Sequence, residues 1–158
     1  MEPSLTAGSL FLILAASQGL FLAFVLFAHP QQNKALRFLS MLILAFSVSQ
    51  LHIALYWSRY LLVFPHFWGV PGAFTLLYGP LVYLYVKSVL YGQSTISQKA
   101  WLHFIPFIFN VFYMLPLYLL SGETKVYALK TYVFAEEFSI DFESMVFSAG
   151  EVIHLLCY

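Results

Sequence analysis

One pair of ionisable residues in this 158-residue sequence has a spacing that could do chemistry, Glu151 and His154. They are three residues apart, so on a helix their carboxylate and imidazole share one face, as in the metal sites of helical bundles. A two-metal site of that type needs a second Glu-x-x-His and two more carboxylates, and no other apolar stretch supplies them. We therefore expect no metal, no cofactor and no catalytic residue, and interpret the pair as polar groups facing a helix bundle.

Other polar side chains also lie within apolar stretches. Asn110 is near the centre of one stretch and is expected to hydrogen-bond to another helix. His52 is five residues from a helix end at Trp57, so we expect its ring to reach the membrane interface. Ser17 and Gln18, in the middle of the first stretch, are expected to face other helices rather than lipid. Together with Glu151 and His154, His52 and Asn110 form the set of candidate intramembrane polar residues.

Composition places the chain in a membrane. Mean hydropathy is +0.83, and 61% of residues are hydrophobic while 9% are charged, compared with about a quarter charged in soluble domains. The seven Lys and Arg balance the seven Asp and Glu, so there is no basic surface for direct nucleic-acid binding by this chain. The single cysteine excludes an internal disulfide.

The apolar stretches predict one all-α domain over residues 1–158, a polytopic transmembrane helix bundle. A helix of about 20 residues crosses the hydrocarbon core of a bilayer at 1.5 Å per residue. The predicted spans are residues 10–28, 38–57, 71–90, 102–120 and an incomplete fifth at 144–158. Because the fifth stretch is short, we expect the chain to be the N-terminal part of a longer protein. Between the last two spans, the helical spacing of Val126, Leu129, Tyr132 and Val133 predicts a short amphipathic helix within residues 123–143.

The third span contains Gly79 and Pro80, which predict a kink that neighbouring helices must compensate. Tyr78 and Tyr85 share a helix face, with Tyr83 to one side, and their hydroxyls need headgroups or polar partners. The preceding connection is rich in aromatic residues and proline, which indicates a loop at headgroup depth. Its His66 and Trp68 are the candidate signal-facing residues.

Loop charges predict the orientation, because positive residues are retained in the cytoplasm. On one side, four basic residues accompany no acid: Lys34, Arg37, Lys87 and Lys99. The opposite side, which includes the N-terminus, carries three basic residues and six acidic ones. The N-terminus is therefore expected to lie outside.

Two stretches of the sequence carry a family resemblance. One is Pro65 to Ser88, which contains Tyr78-Gly79-Pro80-Leu81 and Tyr83-Leu84-Tyr85, and the other is Leu-His-Phe-Ile-Pro-Phe at residues 102–107. They resemble the N-terminal membrane region of bacterial membrane-anchored AraC-type transcriptional regulators, in which membrane helices precede a cytoplasmic helix-turn-helix domain. The resemblance implies a sensor and anchor region in the bacterial inner membrane rather than an enzyme. Its implied partners are membrane lipid, an unidentified signal ligand, an attached DNA-binding domain absent from this chain, and a second copy in a homodimer.

A different class of function remains open from the residues alone. A self-contained small membrane enzyme or transporter would be built around the intramembrane polar groups His52, Asn110, Glu151 and His154.

Overall fold

The helices of this protein follow one another antiparallel, and each begins where a capping residue or a proline allows it. The computed structural model describes residues 3–29, 33–91 and 98–134. All regular secondary structure in these ranges is helical, without strands. The α-helices are α1 (Ala7–Phe27), α2 (Lys34–Trp57), α3 (Val70–Tyr91), α4 (Ile105–Leu119) and α5 (Gly122–Ala128). Shorter turns are of the 3-10 type at Tyr60–Leu62, Pro65–Phe67 and Gln98–Phe104, and of the π type at Leu129–Val133.

Four helical segments in the described ranges are long and apolar enough to cross a membrane. They are Ala7–Phe27, Lys34–Trp57, Pro65–Tyr91 and Lys99–Leu119. The predicted all-α fold with four full spans is thus confirmed. The predicted fifth span at residues 144–158, with Glu151 and His154, lies outside the described residues.

Three helix starts differ from the predicted ones. α1 begins at Ala7, three residues before position 10, because the Thr6 side chain accepts a hydrogen bond from the Ser9 backbone N–H and caps the helix. α2 begins four residues before position 38, because the Asn33 side chain accepts a hydrogen bond from the Leu36 backbone N–H at 2.8 Å and caps the helix. Lys34 and Arg37 therefore belong to the first turn of α2 and not to a loop. The predicted span from residue 102 instead starts as a 3-10 turn, and α4 begins at Ile105, where Pro106 occupies the first turn that tolerates proline.

Small residues join α1 to α2. Ala16 and Ala23 are buried on α1, and the Ser40 hydroxyl of α2 donates to the Ala23 carbonyl at 2.7 Å. The prediction that Ser17 and Gln18 face other helices is wrong, since both are exposed. Close backbone approach is made possible by small side chains, and these occupy the other face of α1.

α3 continues as one helix through Gly79 and Pro80, and packs along α2. Pro80 is fully buried. Beside it, the Tyr78 ring stacks on Phe46 of α2 with centroids 4.2 Å apart, and its hydroxyl lies 2.6 Å from the Ser49 hydroxyl. Tyr78 therefore has the polar partner that its position in the span requires.

Long-range contacts establish which connections share a side of the bundle. The Ser4 backbone N–H donates to the Ser58 carbonyl at 3.0 Å, which places the N-terminal segment beside the end of α2. The rings of Tyr56 and Phe134 stack at 5.3 Å, which brings the segment after α5 to the same place. The N-terminal segment, the α2–α3 connection and α5 thus form one side, called here the N-terminal side.

Candidate functional site

A buried lysine is the most unusual feature of the N-terminal side. Lys125 lies on α5, which begins after Ser121, whose hydroxyl accepts from the Thr124 backbone N–H at 3.3 Å. This cap sets the register of the helix, and the Lys125 side chain is 1% exposed. Burial of an ammonium has a high cost in free energy unless other groups accept its hydrogen bonds and stabilise its charge.

Two neutral groups hold the Lys125 ammonium. Its Nζ donates to the Tyr118 carbonyl at 3.1 Å and lies 3.2 Å from Nδ1 of His66, in the 3-10 turn Pro65–Phe67. An ammonium can only donate, so Nδ1 acts as the acceptor. In a neutral imidazole the proton is then on Nε2. Within the described part of the chain, the lysine is therefore solvated by dipoles rather than by a carboxylate.

The end of α4 is fastened to the start of α3 by a second polar contact. The Tyr118 hydroxyl donates to the Gly69 carbonyl at 3.1 Å. Gly69 has a φ of +83°, and a Cβ there would lie 2.8 Å from Cδ2 of Leu117. Glycine is therefore required for both the backbone conformation and the close approach. We call His66, Gly69, Tyr118 and Lys125 the Lys125 cluster.

A cavity of about 340 Å³ opens beside the Lys125 cluster, between α3 and α4. Its polar lining is His66, Tyr118 and Lys125, and its apolar lining is Val70, Ala73, Phe74, Phe107 and Val111. One end of the cavity thus offers positive charge and hydrogen-bond donors, and the remainder offers hydrocarbon and aromatic surface. Pockets of this type bind small molecules in many proteins.

The two candidate signal-facing residues differ in their position relative to this site. His66 is exposed and lines the cavity. Trp68, two residues later, is half-buried and is not among the side chains that line it. Of the two candidate signal-facing residues, His66 therefore belongs to the site and Trp68 does not.

The described intramembrane polar candidates, His52 and Asn110, do not line the cavity. The Nε2 of His52 is buried and finds no hydrogen-bond partner in residues 3–29, 33–91 and 98–134. Asn110 is 8% exposed. Its Oδ1 likewise makes none of the expected hydrogen bonds to the described helices.

The tyrosines of the third span are divided between two neighbours. Tyr78 contacts α2, whereas the Tyr83 ring lies 5.0 Å from the His103 ring at the start of the fourth span. The Tyr83 hydroxyl also accepts from Lys87 Nζ at 3.2 Å. Tyr85 is half-buried. These residues, with Gly79 and Pro80, hold α3 between its neighbours and lie apart from the Lys125 cluster.

The amphipathic pattern predicted the short helix but missed Lys125. That pattern rests on the apolar positions Val126, Leu129, Tyr132 and Val133, and Lys125 is not among them. A usable signal was present in Ser121, which favours a helix start and places Lys125 one turn before the fully buried Leu129. Residues four apart share a helix face, so the lysine lies on the inward face.

Comparisons with known proteins identify no relative: no family model, no curated protein and no solved structure matches the chain. Among the described residues, no group of three or more His, Cys, Asp or Glu side chains could hold a metal ion.

Proposed function

We propose that this chain is the membrane-embedded sensor and anchor region of a transcriptional regulator. Its DNA-binding domain would lie beyond this chain, in the cytoplasm, and the N-terminal side would face outward across a bacterial inner membrane. The four apolar helices support the anchor. The attached domain is supported by the resemblance of Tyr78-Gly79-Pro80-Leu81 and its surroundings to membrane-anchored AraC-type regulators. Because regulators of that type often act as dimers, we propose a homodimer.

The observation that carries the sensing proposal is the buried Lys125 beside a cavity on the outward side. Its hydrogen bonds connect α5, the end of α4 and the turn before α3, so a ligand at this point contacts three segments at once. A ligand shifts an equilibrium between two arrangements only by its difference in affinity for them. In this proposal the ligand affinity differs between two arrangements of these three segments, because all three contribute to the site.

Transmission through the membrane is assigned to α3. This helix begins at the Lys125 cluster and ends on the opposite side, and Pro80 lies fully buried in its middle. Proline removes one backbone hydrogen bond and is a common cause of helix bending. Pro80 is therefore the proposed pivot, with no catalytic role for any residue.

Replacement of the chromosomal gene tests this function in the native organism. Deletion of the gene is expected to change a defined set of transcripts, and Pro80→Ala in the full-length protein is expected to alter the regulation of the same set. The amount of protein in the membrane fraction, measured by immunoblot, should stay the same. Transcript profiles provide the readout, and Pro116→Ala, the same change inside α4, is the matched control.

Two results would count against the proposal. If deletion leaves all transcripts unchanged, or if the reading frame beyond the codon for Tyr158 encodes no helix-turn-helix domain, the regulator is the wrong class. If the transcript profiles of the Pro80→Ala and Pro116→Ala strains both match that of the strain with the unaltered protein, bending of α3 at Pro80 is not part of the mechanism.

A further inference from the structure

We infer that the cavity beside Lys125 binds a single-chain amphiphilic carboxylate, of the fatty-acid class. This inference names the signal of the proposed sensor and depends on the proposed function for its biological role alone. The binding itself follows from the charge of the site, its hydrogen-bond donors and its shape.

The charge of the site favours a monoanion. The Lys125 side chain is 1% exposed, and its partners in the described part of the chain are the Tyr118 carbonyl and a neutral imidazole. Its ammonium has three donors, of which these contacts use two. A buried charge is stabilised most by an opposite charge that also accepts a hydrogen bond. One carboxylate supplies both.

His66 holds the Lys125 ammonium in place beside the cavity. Its Nδ1 accepts from Lys125, so Nε2 carries the proton of the neutral ring. The ring also lines the cavity. Nε2 lies on the Gly122 side of the ring, 3.6 Å from where a Cβ at that glycine would be, so the donor for a carboxylate oxygen is the third ammonium N–H of Lys125.

The rest of the cavity is suited to one hydrocarbon chain. Its lining from α3 and α4 is apolar, with Val70, Ala73 and Phe74 opposite Phe107 and Val111. The volume of about 340 Å³ is near the lower limit of the roughly 300–1,000 Å³ of small-molecule pockets. A site of this size has room for one short hydrocarbon chain. Burial of that chain contributes favourably in proportion to its apolar area.

Binding of radiolabelled decanoate to the full-length protein in phosphatidylcholine nanodiscs tests the inference. Empty nanodiscs measure partition into lipid, which is subtracted. Saturable binding is expected, about fourfold tighter for each methylene added from hexanoate to decanoate. Decanol, which has the chain without the charge, should compete poorly.

Lys125→Met is the decisive variant because it keeps an unbranched side chain and removes the charge. We expect binding to weaken roughly ten- to a hundredfold, as for the loss of a charged hydrogen bond. Lys130→Met, on the exposed face of the adjacent π-helical turn, is the matched control and should bind like the unaltered protein. Val111→Trp, which fills the cavity from α4, is a second variant and should abolish binding without touching the lysine.

Three results would overturn the inference. They are decanoate binding no greater than in empty nanodiscs, equal binding by Lys125→Met and the unaltered protein, or loss of decanoate binding when phosphatidylglycerol replaces part of the phosphatidylcholine. The last would assign the site to a phospholipid headgroup. Binding is measured on purified protein, so the two tests are independent. If decanoate does not bind, the transcript test of the proposed function still applies. If transcripts do not change, a measured decanoate affinity still holds.

Discussion

Between α1 and α2, small side chains allow two helices to approach closely along their length, whereas α3 and α4 are joined by a hydrogen bond near one end and a ring contact near the other, with a cavity between them. The first interface contains Ala16, Ala23 and a hydroxyl-to-carbonyl hydrogen bond. The second has Tyr118 bonded to Gly69 at one end and Tyr83 beside His103 at the other. Close packing produces one preferred arrangement, because interiors respond to small changes in volume. Because these two contacts are far apart along the helices, they leave space between α3 and α4 that a ligand can occupy.

The largest effect is expected where the packing of α1 on α2 is closest. A Cβ at Gly19 would clash with the Ser47 hydroxyl, which is held by its bond to the Ile43 carbonyl at 2.7 Å, and would lie 3.2 Å from Ser47 Cβ. Gly19→Ala should therefore lower the free energy of unfolding by about 1–3 kcal/mol, the usual cost of overpacking. Unfolding in mixed detergent micelles measures it.

Gly8→Ala is the control for this substitution, because a Cβ there meets a single atom, Oγ1 of Thr6, at an ordinary 3.9 Å. Equal stability of the two variants would show that α1 and α2 are not in close contact at Gly19, and would remove the contrast between the interfaces.

An intermediate effect is expected at the polar junction of α3 and α4. Tyr118→Phe removes the hydroxyl that donates to the Gly69 carbonyl and should lower the free energy of unfolding by about 1 kcal/mol. The same micelle unfolding experiment applies. Tyr113→Phe, whose side chain is 61% exposed on α4, should have no measurable effect, and a similar loss in both variants would mean that the hydroxyl at position 118 makes no stabilising contact.

The smallest effect is expected for a polar contact inside the close-packed interface. Ser40→Ala removes the bond to the Ala23 carbonyl, and interhelical hydrogen bonds in membrane proteins contribute about 0.6 kcal/mol on average. Ser17→Ala, an exposed serine bonded within its own helix, is the control for unfolding. A loss from Ser40→Ala larger than that from Gly19→Ala would show that hydrogen bonding, and not packing, dominates between α1 and α2.

The difference between the two interfaces also explains which sequence predictions succeeded. The four spans were predictable because the length of an apolar helix is set by the bilayer and needs no knowledge of neighbours. The residues at the helix interfaces were not predictable. Ser17 and Gln18 were expected to face other helices, but both are exposed, and the small residues Ala16 and Ala23 are buried on α1 instead. The burial of His52 Nε2 depends likewise on the neighbours of the ring, which its distance to a helix end does not specify.

For this protein, the sequence by itself determined an all-α chain with four helices long and apolar enough to span a membrane, because hydrophobicity and length are properties of each segment alone. The tertiary structure alone decided that Lys125, His66 and Tyr118 meet beside a cavity. These residues are separated by up to 59 positions, and their meeting depends on how α3, α4 and α5 pack. Local patterns specify which residues can be buried, whereas packing between helices specifies their neighbours.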